Sequence, residues 1–186
     1  ESSGRGATGM DATGIDARGV DGTGMGAMGM DATGMDAMGM GATGMGATGM
    51  GCGTGVLALV AAIRGAHQVH GIDIEADAVQ NAKDNVLLNP TIAHLGADRL
   101  HFEAGDGRLL DEMLSGHWDV VLANIHKNVL TGDMPRYAKL MTPGGRLYLS
   151  GFFEGDAPAM KHAVESSGLV VLKLMAREGW ACMHCG

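Results

Sequence analysis

Met50-Gly51-Cys52-Gly53-Thr54-Gly55, followed at once by the apolar run Val56-Leu57-Ala58-Leu59-Val60-Ala61-Ala62-Ile63, is the stretch that decides the fold. A glycine-rich turn that opens an apolar helix offers a ligand backbone N–H groups and the partial positive charge of a helix N-terminus. The glycines let that ligand lie against bare backbone. Such a turn belongs to a doubly wound α/β fold.

The residues after the turn continue that pattern. Gly55–Arg64 is predicted to be a buried helix stopped by Gly65, and Gln68–Ile74 a strand. Glu75–Leu88 follows as an amphipathic helix ending near Asn89-Pro90. Arg99–Glu103 is a short strand that leads through Gly105-Asp106-Gly107 into a helical turn. Trp118–Asn124 is almost continuously apolar, the mark of a strand covered on both faces. A helix is expected to about Met141, then a turn at Pro143-Gly144-Gly145 into strand Arg146–Phe152, and a last helix over Ala157–Ser167. Leu169–Ala176 and Gly179–His184 are close enough in sequence to pair antiparallel. Alternating strands and helices with an antiparallel end predict a doubly wound, mostly parallel sheet.

In such a sheet the ligand lies beyond the carboxyl ends of the strands, where the strand order reverses. Four places in the sequence fall on that edge: the turn Gly51-Cys52-Gly53-Thr54-Gly55, Asp73 with Ile74, the loop Asp106-Gly107, and Asn124. The glycine spacing is not the G-x-G-x-x-G of dinucleotide enzymes. A carboxylate at the strand end, Asp73, suits a ribose with two free hydroxyls, and Asp106 suits the exocyclic amine of an adenine. Nothing resembles a phosphate-binding lysine loop. An adenosine without a phosphate arm, over a glycine turn, points to S-adenosylmethionine.

Bulk composition narrows the function classes. The net charge is −8 with no cluster of Lys and Arg, which argues against direct nucleic-acid binding or an anionic membrane surface. No apolar run is long enough to span a bilayer, and no signal-peptide pattern opens the chain. Three cysteines make no disulfide framework, so a reducing, cytoplasmic setting is expected. Cys182-Met183-His184-Cys185 has the spacing of half a zinc site. With no second ligand pair, a reduced strand end is expected and no metal.

Residues 6–50 are a five-residue tandem repeat in which the fourth position is Gly and the fifth Met, Ile or Val. Its variants differ as an expanded DNA repeat would. A period of five matches neither helix nor strand, and each glycine weakens both by roughly 0.5–1 kcal/mol. Irregular extended structure over residues 1–45 is expected in preference to a β-solenoid, with the globular domain over residues 46–186.

The text from Met50 resembles the class I methyltransferases, and most closely the catalytic domain of the PrmA family, which methylates the eleventh protein of the large ribosomal subunit. The residues that carry the resemblance are Gly51-Cys52-Gly53-Thr54-Gly55-Val56-Leu57-Ala58, Gly71-Ile72-Asp73-Ile74-Glu75-Ala76-Asp77-Ala78-Val79, and Asp119-Val120-Val121-Leu122-Ala123-Asn124-Ile125. Pro143-Gly144-Gly145-Arg146-Leu147-Tyr148-Leu149-Ser150-Gly151 and Glu178-Gly179-Trp180 complete it. The resemblance implies a seven-stranded Rossmann-like sheet and S-adenosylmethionine as cofactor, with S-adenosylhomocysteine as product. It also implies cofactor contacts at Gly51, Asp73 and Asn124. Asn124 stands where the acceptor amine meets the methyl group, and the partner is a protein substrate, a large-subunit ribosomal protein.

Three features depart from the family. Gly49 stands where the family has an acid, the histidine-bearing loop that covers the cofactor is absent (Gly22-Thr23-Gly24-Met25 imitates it only in part), and no separate substrate-presenting domain precedes the turn. The strand leading into the turn falls on Gly44–Met50, poor strand material for the centre of a sheet. These departures predict weakened cofactor binding. The alternatives are a class I methyltransferase with another acceptor, or a non-catalytic α/β module whose repeat mediates assembly.

Overall fold

The computed structural model describes residues 46–89, 97–113 and 115–186; the expectations for residues 1–45, the Gly22–Met25 stretch included, lie outside them. The elements are β1 (Gly46–Met50), α1 (Val56–Ile63), β2 (Gln68–Asp73), α2 (Ala76–Leu88), β3 (Leu100–Ala104), α3 (Leu109–Glu112), β4 (Trp118–Asn124), α4 (Lys127–Leu140), β5 (Met141–Phe153), α5 (Ala157–Ser166), β6 (Val171–Arg177) and β7 (Trp180–Cys185). Short 3-10 turns occupy Ala97–Arg99 and Glu154–Asp156. These strands form one sheet in the order β3-β2-β1-β4-β5-β7-β6. All pairs from β3 to β5 are parallel, while β7 runs antiparallel to both β5 and β6. The expected mostly parallel, doubly wound sheet is the one observed.

Two apolar layers hold it. On one face, Leu59 and Val60 of α1 and Val79, Ala82 and Val86 of α2 pack on Ala47, Val69, Phe102, Val120 and Leu122. On the other, Leu130, Met134 and Tyr137 of α4 and Met160 and Val164 of α5 pack on Met50, Ile72, Val121, Leu147 and Leu149. Among the described residues no helix is long and apolar enough to cross a membrane.

The central strand corrects the propensity argument. Gly46–Met50 is β1, paired in register with β2 on one side and β4 on the other. Tertiary context overrides local preference here, because strand propensity mostly measures how well a side chain fits its neighbours. Ala47 and Met50 are buried in opposite layers. The Gly46 N–H donates to Asp119 Oδ2 at 2.9 Å, and the Thr48 hydroxyl donates to the His70 carbonyl at 3.1 Å. At Gly49 a Cβ would lie 2.9 Å from the Leu122 carbonyl oxygen, so the close approach of β4 favours a residue without a side chain.

A second difference is the start of β5. It begins at Met141, not Arg146, because Met141 already pairs with Trp118 before a shift of register at Val120↔Arg146. Pro143-Gly144-Gly145 is therefore an irregularity inside the strand, held by the Thr142 hydroxyl on Asp119 Oδ1 at 3.1 Å.

Candidate active site

Register places the candidate residues at one height. Met50 pairs with Ile72 of β2 and with Ala123 of β4, so the next residues, Gly51, Asp73 and Asn124, emerge side by side at the carboxyl edge. The strand order reverses between β1 and β4, which is where an open α/β sheet leaves a crevice.

All three glycines of the turn have positive φ: 69° at Gly51, 51° at Gly53 and 80° at Gly55. Their surroundings differ. At Gly51 a Cβ would lie 2.6 Å from the Asn124 carbonyl oxygen, and at Gly55 3.0 Å from Ala82 Cβ, so these two serve packing. At Gly53 nothing lies within 4 Å, which leaves the surface of the turn open. The Gly53 N–H donates to Asp73 Oδ2 at 2.8 Å, and the Glu75 N–H donates to Oδ1 at 3.1 Å. Two backbone donors thus fix the carboxylate and leave acceptor capacity on each oxygen. Ile74, next along, is 67% exposed, an apolar side chain without cover among the described residues.

Asn124 is gripped from two sides. Gly51 packs against its carbonyl, and Gly151 of β5, with φ 85°, comes so near that a Cβ would lie 3.0 Å from Asn124 Oδ1 and 2.8 Å from the Ile125 carbonyl. The side-chain amide of Asn124 is half-buried and has no hydrogen-bond partner among the described residues. Gly151 escaped sequence reasoning as a site residue. Its only signal was its place after Leu149-Ser150, and its contact with Asn124 depends on pairing between β4 and β5.

Asp106 lies beside Asp73, because the Gly105 N–H donates to the Asp73 carbonyl at 2.8 Å. Its carboxylate is engaged by Arg108, through Nε at 2.9 Å and Nη2 at 2.8 Å, so a ligand amine would compete with an exposed guanidinium. Arg108 holds the Asp106 carboxyl below its ordinary pKa by these hydrogen bonds. The Cys52 thiol is pushed up to about 12, first by burial and then by the charge of Asp73, which makes it an inert packing group. Lys127, three residues after Asn124, pairs with Asp156 at 2.6 Å and so joins the start of α4 to the turn after β5. Cys182 and Cys185 belong to opposite layers of the sheet and do not converge on one ion.

The arrangement fits the adenosine part of S-adenosylmethionine: an open turn surface at Gly53, a fixed carboxylate at Asp73 and an uncovered aliphatic side chain at Ile74. Position 49 does not reproduce the acid of the family, since a Cβ there would crowd Leu122.

Comparison with known proteins bears on the family and the fold. The family model described as ribosomal protein L11 methyltransferase (PrmA) matches residues 40–186. The ribosomal protein L11 methyltransferase of Phocaeicola vulgatus is 38% identical over 132 residues, which cover 71% of this chain and 44% of that protein. That of Thiobacillus denitrificans is 38% identical over 129 residues, covering 69% and 39%. The chain thus spans less than half the length of these relatives. Among solved structures, the ribosomal protein L11 methylase of Lactobacillus delbrueckii subsp. bulgaricus superposes with a TM-score of 0.72 at 20% identity, covering 83% of this chain and 78% of that one. Geranyl diphosphate C-methyltransferase from Streptomyces coelicolor gives 0.65 at 13% identity, with 81% and 75% covered, which shares the fold.

Proposed function

The chain belongs to the ribosomal protein L11 methyltransferase family, and from that premise we propose that it is an S-adenosylmethionine-dependent methyltransferase acting on amino groups of a ribosomal protein in the cytoplasm. The observation that carries this reading is the common height of Asp73, held by the Gly53 N–H, and Asn124, held between Gly51 and Gly151.

The cofactor's sulfonium supplies the methyl group. Asp73 would accept from the ribose hydroxyls, the bare backbone of the turn Gly51–Gly55 would bear on the cofactor, and the exposed Ile74 would offer an apolar surface to the adenine. The Asn124 amide oxygen accepts an N–H of the acceptor amine and turns its lone pair toward the methyl group. An amide is too weak a base to remove a proton, so the ammonium group would lose one proton to water before attack; the neutral amine would then form the N–C bond as the C–S bond breaks, its electron pair leaving on the sulfur of S-adenosylhomocysteine. What the chain supplies is proximity and orientation, which convert a bimolecular encounter into a near-unimolecular step.

A class I methyltransferase with another acceptor is the second reading, favoured by the fold shared with geranyl diphosphate C-methyltransferase, whose acceptor is not a protein. Incubation with methyl-labelled S-adenosylmethionine and purified ribosomal protein L11 separates the two. Label on lysine or N-terminal amines of that protein, lost in Asn124→Ala, is the expected result. Label that passes only to other acceptors replaces the first reading by the second.

A further inference from the structure

Among the described residues Asp133 is the one charged side chain that is buried. It lies within α4, where a carboxylate out of water is costly unless it is paired. Arg136, one helical turn on, supplies the partner, with Nη1 2.7 Å from Oδ1. The same guanidinium donates through Nε to both carboxylate oxygens of Asp111 in α3, at 3.1 and 3.0 Å.

The Asp133 carboxylate also rests on Gly107. A Cβ on that glycine would lie 2.6 Å from Asp133 Cγ, so the carboxylate fills the space of the missing side chain. α4 therefore grips the segment after β3 at two points: Gly107 through Asp133, and Asp111 through Arg136. An exposed Arg–Asp pair alone is worth little. Here one planar fork joins carboxylates from two elements, which fixes their relative position as well as their charge.

We propose that Asp133 and Arg136 are positioning residues for the adenine end of the cofactor site. They hold the Asp106-Gly107 loop where Asp106 can accept from an exocyclic amine, and they tie it to the helix that starts three residues after Asn124. The proposal rests on the cofactor reading above. Arg108, whose side chain is 83% exposed, moves aside when the adenine arrives.

The test is calorimetry with two ligands, S-adenosylhomocysteine and its inosine analogue, in which the exocyclic amine is replaced by a carbonyl. The unsubstituted chain is expected to prefer the adenine ligand by tenfold or more. Arg136→Met, and separately Asp133→Asn, should cut that preference at least fivefold, chiefly by weakening the adenine ligand. Arg136→Lys, which keeps the charge but not the fork, should fall between. Arg136→Met leaves the buried Asp133 carboxylate without its partner and should lower the unfolding temperature, so the titrations are made well below it, where the variant's circular dichroism matches that of the unsubstituted chain. A preference unchanged in Arg136→Met and Asp133→Asn overturns the proposal, as does an unsubstituted chain that binds both ligands equally. In either case binding of S-adenosylhomocysteine itself leaves the methyltransferase reading standing. Absence of binding by the unsubstituted chain overturns both.

Discussion

Asp73→Ala lowers affinity for S-adenosylhomocysteine by about 5- to 150-fold, the equivalent of roughly 1–3 kcal/mol for a charge-assisted hydrogen-bond acceptor. The carboxylate has two duties. Its oxygens already accept from the Gly53 and Glu75 N–H groups, and each keeps acceptor capacity for a ligand. Removing it takes away the ribose acceptor and also loosens the turn that bears on it. Asp73→Asn separates these duties, since the amide keeps one acceptor oxygen for Gly53. An Asp73→Ala chain that binds as tightly as the unsubstituted one removes Asp73 from the site.

Gly51→Ala carries the second large effect. The new methyl group would sit 2.6 Å from the Asn124 carbonyl oxygen, and the backbone at φ 69° is one that side chains rarely adopt. The left-handed conformation costs about 1–2 kcal/mol, and overpacking adds about 1–3 kcal/mol. Denaturant unfolding should therefore report a loss of about 2–5 kcal/mol, with cofactor affinity lowered more than tenfold as Asn124 is displaced. Gly53→Ala is the informative contrast. It shares the positive φ, 51°, but meets nothing within 4 Å. It should lose only the conformational cost of about 1–2 kcal/mol in stability while still losing affinity, because its methyl group stands where the ligand lies. Equal stability losses in the two variants would contradict this division of labour.

These two glycines also show what a sequence makes legible. The turn and the strand Trp118–Asn124 announce themselves locally, through glycine spacing ahead of an apolar helix and through an unbroken apolar run. Both elements form with nearly the expected boundaries. β1 does not announce itself. Gly46 and Gly49 argue against a strand, and only the flanking β2 and β4 supply the ladder and the close approach that make glycine suitable there. For the same reason Gly151 could be quoted as part of a motif yet not as a neighbour of Asn124. Asp133 carries no local signal, since its burial depends on Gly107, which is close in space and distant in the chain. Asp106 was legible as an acid at the right edge. Its engagement by Arg108, two residues away, follows from a local turn that the spacing did not reveal.

The departure at position 49 fits the same physical picture. Gly49 leaves room for the approach of the Leu122 carbonyl, which a side chain at this position would crowd. Cofactor binding then depends more heavily on Asp73 and on the turn.

The most direct test of the central claim, that the edge formed by Gly51–Gly55, Asp73 and Asn124 holds a sulfonium cofactor, is a calorimetric titration of the unsubstituted chain with S-adenosylhomocysteine. The expected result is saturable binding of one ligand per chain, weakened by Asp73→Ala. No detectable binding at millimolar ligand, by a chain shown to be folded, would contradict it.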